Sequence, residues 1–285
     1  MTVREWLRQA TGSLTAAGVD NADGDSRSLL AYVLRCREQE LVLTDQCLEK
    51  EQESRLAELL TRRRRREPLQ HLLGSQCFYG YDFLVGPQVL IPRWDTENLV
   101  EACLNYLKKE VKTDSPKVCD VCTGSGCIAV TLALEYPSAR VTAADISEEA
   151  LLLAQANGKR LQAEVKWVQG DLLAPVDGDF DLIVSNPPYI KTADLEELQP
   201  EVRDHDPRLA LDGGADGLEF YRRLAVEAFH HLKAGGLLAL EIGSDQAEAV
   251  TGLLIEQGYR KIEVKQDLSG LDRVILARKS LPETE

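Results

Sequence analysis

From about residue 95 onward, the sequence alternates short apolar runs with helical patterns, and this alternation restricts the fold more than any other feature. The strand-like runs are KVCDVC, ARVTAAD, EVKWVQ, FDLIVSN, GGLLALEI, KIEVKQ and RVILARK. Strands that alternate with helices form a mainly parallel sheet with helices on both faces. Because the last two runs are close together in the chain, we expect them to form an antiparallel pair at one edge of a seven-stranded α/β sheet.

The N-terminal region has a different pattern, typical of a small helical bundle. Its apolar residues recur at helical spacing in three successive segments. The stretch that follows, CFYGYDFLVGPQVLI, is aromatic and punctuated by glycine, which is typical of a hairpin. We therefore predict a helical domain at residues 1–75, a β-hairpin linker at 76–92 and the α/β domain at 93–285.

Five consecutive arginines, Arg62–Arg66, end the last predicted helix of the N-terminal domain just before Pro68. Cations stabilise a helix C-terminus, so we expect a solvated terminal turn. The alternative is that the run binds an acidic partner.

The net charge of −14 is concentrated in the α/β region. The whole chain has 47 acidic and 33 basic side chains, and residues 1–76 hold 12 of each. Residues 77–285 therefore carry the whole net charge of −14. This negative electrostatic field repels phosphate backbones, so we expect no direct nucleic-acid partner.

The sequence has no apolar run that approaches the ~20 residues needed to cross a bilayer. Its N-terminus also has no apolar core typical of a signal peptide. We therefore expect a cytoplasmic monomer without membrane contact.

The seven cysteines favour reduced thiols, because no signal peptide directs the chain to an oxidising compartment. Cys119 and Cys122 form a C-x-x-C pattern, which is compatible with a redox pair or half a zinc site. No second pair or nearby histidine completes a tetrahedral set. We therefore expect small buried side chains here and no bound metal.

A glycine-rich loop, Asp120-Val-Cys-Thr-Gly-Ser-Gly126, follows the first strand of the α/β region and precedes a helix. Glycines allow a sharp turn and the close approach of a ligand at a helix N-terminus. Asp145 ends the second strand, where a carboxylate can accept both hydroxyls of a ribose. Asp171 follows the third strand, near the expected adenine edge. The loop predicts an adenosine-containing ligand, and because it also fits G-x-G-x-x-G/A, a nicotinamide cofactor remains an alternative.

The fourth strand leads directly into Asn186-Pro187-Pro188-Tyr189. In an open α/β sheet, ligands bind at the carboxyl ends of such strands. Asn186 Oδ1 and the Pro187 carbonyl can each accept one N–H of a planar –NH2 group, which directs the nitrogen lone pair toward an electrophile. The prolines restrict this backbone, and Tyr189 offers a flat face to a planar amide or base. The tetrapeptide predicts group transfer to nitrogen rather than hydride transfer.

Together, DVCTGSGC, Asp145 and NPPY resemble the class I methyltransferases that use S-adenosylmethionine and act on planar –NH2 groups. Nearly the whole chain resembles the release factor glutamine methyltransferase family, also called PrmC or HemK. The resemblance includes DSRSLLAYVL, EPLQHLLG, FYGYDF, IPRWDTE and DPRLALDGGADGLEFYRRL. It implies a Rossmann-like methyltransferase domain preceded by a helical domain that helps to dock the release factor.

The resemblance also implies a reaction and a set of site residues. The reaction is N5-methylation of the glutamine in the Gly-Gly-Gln motif of class 1 peptide-chain release factors, with S-adenosylmethionine as the methyl donor. The implied catalytic residues are Asn186, Pro187 and Tyr189, and Pro188 joins them in binding the substrate. The expected cofactor contacts are Asp120, Cys122, Thr123, Gly124, Ser125, Gly126, Asp145, Asp171, Leu172 and Asn186.

Three positions depart from the family pattern. Cys122 replaces the usual glycine, so its thiol is expected to crowd the loop and face the cofactor. Trp94-Asp95 replaces the usual Pro-Glu, and His205-Asp206-Pro207 replaces a more common aromatic-Glu-Pro. None of these changes alters the acceptor role of Asn186.

Two other classes of function share some of these features. A nucleic-acid methyltransferase that acts on an exocyclic amine of adenine or guanine would share NPPY, but it would need a basic groove and an extruded base. A non-catalytic module that binds release factors or senses adenosine would share the fold, although the intact NPPY argues against it.

Overall fold

The computed structural model describes residues 1–43 and 46–280, and the chain forms two units. One unit contains Met1–Ser75 together with Leu198–His205. The other contains Gln76–Glu197 and the chain from Asp206 onward. The short segment Leu198–His205, which the sequence analysis placed in the α/β domain, therefore groups with the N-terminal helices. None of the described helices is long and apolar enough to cross a membrane.

The first unit consists of short helices around an apolar core, as the sequence predicted. Its N-terminal elements are α1 Val3–Ala16, α2 Ala22–Leu34, a 3-10 segment Glu38–Leu43, α3 Lys50–Arg64 and α4 Leu69–Leu73. A capping box begins α1, in which the Thr2 hydroxyl accepts the Glu5 N–H and the Glu5 carboxylate accepts the Thr2 N–H. The buried faces of the three long helices meet through side chains such as Trp6, Leu29 and Leu56.

The arginine run contributes to the interior of this unit. Arg63 is only 6% exposed, and its Nε donates to Asp25 Oδ2 at 2.7 Å while its Nη1 donates to Glu201 Oε1 at 3.0 Å. Arg66 donates to both oxygens of the same Glu201 carboxylate at 2.6 Å. The expectation of a solvated terminal turn is wrong for Arg63, because two carboxylates compensate the desolvation of its guanidinium.

Replacement of Arg63 by alanine is expected to destabilise the helical unit by about 3 kcal/mol, because it leaves the buried Asp25 carboxylate without its cation. Hydrogen exchange of the α2 and α3 amides measures this change. Arg65→Ala is the matched control, since Arg65 is exposed, and it should change the opening free energy of these helices by less than about 0.5 kcal/mol. Equal protection in the two variants would contradict the structural role of Arg63.

The second unit contains a hairpin and a seven-stranded sheet. The strands are β1 Ser75–Phe78, β2 Tyr81–Leu84, β3 Lys117–Val121, β4 Arg140–Asp145, β5 Val165–Gln169, β6 Phe180–Ser185, β7 Leu232–Glu241, β8 Tyr259–Gln266 and β9 Asp272–Lys279. β1 pairs with β2, and the large sheet has the order β5-β4-β3-β6-β7-β9-β8. β3 to β7 are mutually parallel, whereas β9 is antiparallel to both β7 and β8. The predicted mainly parallel sheet with an antiparallel edge pair is confirmed.

Helices cover both faces of this sheet. They are α5 Thr96–Lys109, α6 Cys127–Glu135, α7 Glu148–Leu161, α9 Glu219–His231 and α10 Ala247–Gln257, while the short α8 Pro200–Arg203 belongs to the first unit. One apolar cluster includes Phe78, Phe83 and Leu107, and a second includes Tyr221 and Leu254. The central strands are therefore buried on both sides, as is typical of parallel sheets. Their carboxyl ends carry the loops that form the candidate site.

Candidate active site

The glycine-rich loop turns sharply after β3 because three of its residues adopt positive φ angles. Cys122, Gly124 and Gly126 have φ values of 60°, 54° and 79°. A Cβ at Gly126 would lie 3.1 Å from both the Ala154 Cβ and the Trp167 ring, so glycine permits the close packing of α6 against α7. A Cβ at Gly124 would meet nothing within 4 Å. Gly124 therefore exposes its backbone to any ligand that lies on the loop.

Cys122 occupies a backbone position that favours glycine. The left-handed region disfavours residues with a Cβ by roughly 1–2 kcal/mol, and the φ of Cys122 lies in that region. Burial raises the pKa of its thiol, which therefore stays protonated at neutral pH. The other cysteine of the C-x-x-C pattern, Cys119, is fully buried within β3.

Asp120 is fully buried near the end of β3 and fixes the conformation of the loop. Its Oδ2 accepts the Thr123 hydroxyl at 2.6 Å and the Ala129 N–H at 3.1 Å. Its Oδ1 has no hydrogen-bond partner among the residues that the structure describes. Burial raises the pKa of Asp120 to about 7, against the opposing effect of these two hydrogen bonds. Asp120 thus contacts the loop and the first turn of α6.

Asp145 ends β4 and joins the loop to the next helix. Its Oδ2 accepts the Gly124 N–H at 2.8 Å, and its Oδ1 accepts the Ser147 N–H at 2.9 Å. Burial raises the pKa of Asp145, and these backbone hydrogen bonds partly oppose that shift. Because each carboxylate oxygen can accept more than one hydrogen bond, Asp145 retains the capacity to bind the hydroxyls of a ribose.

Asp171 and Leu172 follow β5 at the same edge of the sheet. Asp171 is exposed, and its Oδ2 accepts Arg223 Nη2 at 2.8 Å. Leu172 is 4% exposed and has a φ of 49°, so the chain turns sharply at this point. The Asp171 carboxylate is therefore oriented by a cation from α9, a contact that no sequence pattern indicated.

The NPPY segment follows β6, between the loops that leave β3 and β7. Asn186 Nδ2 donates to the hydroxyl of Thr96 at 3.3 Å. An amide nitrogen and oxygen point in different directions, so this contact directs Asn186 Oδ1 away from Thr96. No described residue donates a hydrogen bond to that oxygen. Pro187 and Pro188 are buried, and burial raises the pKa of the Tyr189 phenol to about 12.

Two glycines of the ALDGGADGL segment pack directly against the NPPY backbone. A Cβ at Gly213 would lie 2.7 Å from Tyr189 Cα, and one at Gly217 would lie 2.4 Å from the Tyr189 carbonyl oxygen. Gln246 Nε2 donates to that same oxygen at 3.0 Å and to the Gly217 oxygen at 3.2 Å. The segment therefore supports the backbone that presents Asn186.

These loops enclose a cavity of about 350 Å³ within the sheet unit, a size in the range of small-molecule sites. The predicted residues that line it are Cys122, Thr123, Gly124, Ser125, Asp145, Asp171, Leu172, Asn186 and Pro188. Asp120, Gly126, Pro187 and Tyr189 do not line it. For Asp120 and Gly126 the physical reason is that both support the loop from its buried side.

Several parts of the cavity wall have no signal in the sequence. Pro87–Leu90, Pro92, Leu209 and Phe220 line the cavity, and they come from segments far apart in the chain. Pro92 lies in the IPR motif and Leu209 in the DPRLAL motif. The motifs alone do not specify which of their side chains line a cavity. A buried carboxyl, Glu241, also lies beside Asn186 and was not recognised.

Comparison with known proteins agrees with this architecture. Residues 5–74 match the family model described as PrmC N-terminal domain, and residues 99–201 match the Methyltransferase small domain. The release factor glutamine methyltransferase of Geobacter sulfurreducens is 45% identical over 97% of this chain and 96% of its own length. That of Moorella thermoacetica is also 45% identical, over 97% of this chain and 98% of its own. The chain belongs to the release factor glutamine methyltransferase family.

A solved structure extends the comparison to the fold. A methyltransferase from Pyrococcus furiosus superposes with a TM-score of 0.54 over 82% of this chain and 100% of its own, at 20% identity. At that identity the likeness concerns the fold alone, and it confirms the Rossmann-like methyltransferase architecture.

The family's arginine in the IPR segment keeps a partner in this chain despite the neighbouring substitutions. Arg93 Nη2 donates to Asp206 Oδ2 at 2.8 Å. Asp206 is 6% exposed, and burial raises its pKa to about 6 against the influence of Arg93. Trp94 is 66% exposed and does not line the cavity. The departures at Trp94 and Asp206 therefore keep the Arg93 ion pair and add no side chain to the cavity wall.

Substitution of Gly217 by alanine is expected to lower both stability and methyl transfer. The φ of Gly217 is +73°, and the new methyl group would overlap the Tyr189 carbonyl oxygen, so we expect a loss of about 2 kcal/mol or more. Urea unfolding measures the stability. Gly270→Ala is the matched control: its φ is +78° but no atom lies within 4 Å, so only about 1 kcal/mol should be lost. Equal losses would show that Gly217 does not support the NPPY backbone.

Proposed function

We propose that this chain transfers a methyl group from S-adenosylmethionine to the side-chain amide nitrogen of the glutamine in a release factor's Gly-Gly-Gln motif. The observation that carries the proposal is the position of Asn186, which lines the cavity next to the glycine-rich loop and directs its Nδ2 into the protein. This arrangement leaves Asn186 Oδ1 available to accept an N–H from an incoming amide. The family membership supports the same reaction.

The cavity residues fit the methyl donor. Asp145 supplies two carboxylate oxygens for ribose hydroxyls, and Gly124 leaves room for close approach of a ligand. Asp171 and Leu172 line the part of the wall expected to contact adenine. S-adenosylmethionine, when bound, supplies a methyl group on a positively charged sulfur, which is an activated electrophile. The nearby carboxyl groups suit this charge.

The protein's contribution to the reaction is orientation of a poor nucleophile. The lone pair of an amide nitrogen is delocalised, so the nitrogen must be held at the methyl carbon with its lone pair directed along the reaction axis. Asn186 Oδ1, on the cavity wall, accepts one N–H of the glutamine –NH2 group. The Pro187 carbonyl, directly after Asn186 in the chain, is the proposed acceptor of the other N–H, although Pro187 itself does not line the cavity. These two acceptors also stabilise the positive charge that develops on nitrogen during transfer.

The bonding changes balance without a further reactant. The amide nitrogen forms a bond to the methyl carbon as the carbon–sulfur bond breaks, and the electron pair of that bond remains on sulfur. The nitrogen then loses one proton to water. Buried prolines and the apolar wall restrict water at the site, which strengthens the hydrogen bonds from the substrate.

The partner and the setting of the reaction follow from the same proposal. We expect the helical unit to help dock the release factor, with the exposed Arg64 and Arg65 available for an acidic surface. We also expect the chain to act as a monomer in the cytoplasm. The nucleic-acid alternative is not favoured, because the α/β region carries the whole net charge of −14.

Replacement of Asn186 by alanine is expected to reduce kcat by roughly 10²-fold or more while S-adenosylmethionine binding is retained, because the main loss is the acceptor of the substrate amide. Transfer of labelled methyl to a purified release factor measures kcat, and calorimetry measures cofactor binding. Asn105→Ala, at an exposed position on α5, is the matched control and should transfer normally. Wild-type turnover by the Asn186 variant would exclude the proposed role.

A further inference from the structure

Glu241 is a buried carboxyl group at the end of β7 that the mechanism above does not use. It is 2% exposed, and its Oε2 has no hydrogen-bond partner among the described residues. In the parallel pairing of β6 with β7, Ser185 lies opposite Leu240. The residues that follow this pair are Asn186 and Glu241, so the strand register itself brings them together. Burial of a carboxyl group with an unpaired oxygen costs free energy, so its position beside Asn186 suggests a function.

The contacts of Glu241 lead to the acceptor amide. The Thr96 hydroxyl and the Asn186 amide both lie close enough to the Glu241 carboxyl to lower its pKa. Asn186 Nδ2 also donates to Thr96 Oγ1 at 3.3 Å. Thr96 is 2% exposed, at the start of α5. Thr96 and Asn186 line the cavity and Glu241 does not, so the three side chains form one polar cluster in which Glu241 supports the wall from its buried side.

We propose that Glu241 is a positioning residue that, with Thr96, fixes the orientation of the Asn186 amide so that Oδ1 and not Nδ2 faces the glutamine –NH2 group. The inference rests on the proposed function. An asparagine amide rotated by 180° has nearly the same shape, but it would present two N–H donors to a substrate that is itself a donor. An ionised carboxylate only accepts hydrogen bonds, so it holds Nδ2 on its own side and disfavours the rotated form.

Ionisation of Glu241 gives this arrangement a dependence on pH. Burial raises its pKa to about 7. Thr96, the Arg273 charge and Asn186 oppose this shift, whereas the Asp95 charge adds to it. Other titratable groups that interact with Glu241 are Cys127, Tyr189 and Tyr221. Below about pH 7 the protonated carboxyl is itself a donor, and it no longer selects one orientation of the amide. We expect kcat to rise as the pH increases through this region.

Glu241→Gln tests the inference, because it keeps the size of the side chain and removes its charge. We expect kcat to fall by about tenfold, the KM for release factor to stay within about twofold, and the rise of kcat near pH 7 to be lost. A rise of the same size in this variant would assign it to another group, such as Asp120, and would contradict the role of Glu241 in the pH profile. Glu263→Gln, on the exposed face of β8, is the matched control and should match wild type.

A double-mutant cycle separates positioning from a general structural role. When Asn186 is already alanine, Glu241→Gln should cause no further loss of kcat, because there is no amide left to orient. Thr96→Val is a second variant that removes the hydroxyl with little change of shape, and it should also lower kcat. It keeps the test valid if Glu241→Gln fails to fold, which circular dichroism would reveal.

The outcomes distinguish this inference from the proposed function. Absence of methyl transfer by the wild-type chain to a purified release factor would overturn the proposed function, and the inference with it. Normal transfer by wild type, together with an unchanged kcat and pH profile in the Glu241 variant, would overturn the inference alone. Additive losses in the double-mutant cycle would also overturn it, since they indicate that Glu241 acts independently of Asn186.

Discussion

The parallel pairing of β3 with β6 is the constraint on which the rest of the site depends. It sets Val121 beside Ser185, and the buried Ser185 hydroxyl donates to the Val121 carbonyl at 2.6 Å. The loops that follow these strands therefore leave the sheet side by side, although they are far apart in the sequence. One loop carries the backbone that suits an adenosine-containing ligand, and the other carries Asn186. Under the proposed function, the methyl donor and the acceptor would meet because these two strands are neighbours.

The same edge of the sheet concentrates carboxyl groups that a purely structural core would exclude. Asp120, Asp145 and Glu241 lie at or near the ends of three strands, and burial raises the pKa of each. Asp120 and Asp145 are held by hydrogen bonds to the loops, which offset part of the cost of desolvation. The proposed function gives this cost a physical reason, because negative charge suits a cationic sulfur and acceptor oxygens orient an amide.

The sequence was sufficient to predict the sheet, its antiparallel edge, the helical N-terminal unit and the part of the cavity wall formed by the glycine-rich loop, Asp145, Asp171 and Asn186, because these follow from local periodicity and from short motifs. It was insufficient where the structure depends on distant partners. Arg63 lies in a run that is typical of a solvated helix end, yet Glu201, far along the chain, makes it part of the interior. Gly126 fits a ligand-binding pattern, yet its hydrogen atom leaves space for Trp167. Glu241 ends an ordinary apolar strand, and only the register of β7 against β6 places it beside Asn186.

The most direct test of the account is to locate the transferred methyl group by mass spectrometry of a purified release factor after incubation with the wild-type chain and S-adenosylmethionine. The account predicts a single added methyl group on the side-chain nitrogen of the glutamine in Gly-Gly-Gln. It predicts none in a release factor whose motif is changed to Gly-Gly-Ala. A methyl group at another residue, or equal methylation of the two release factors, would contradict it.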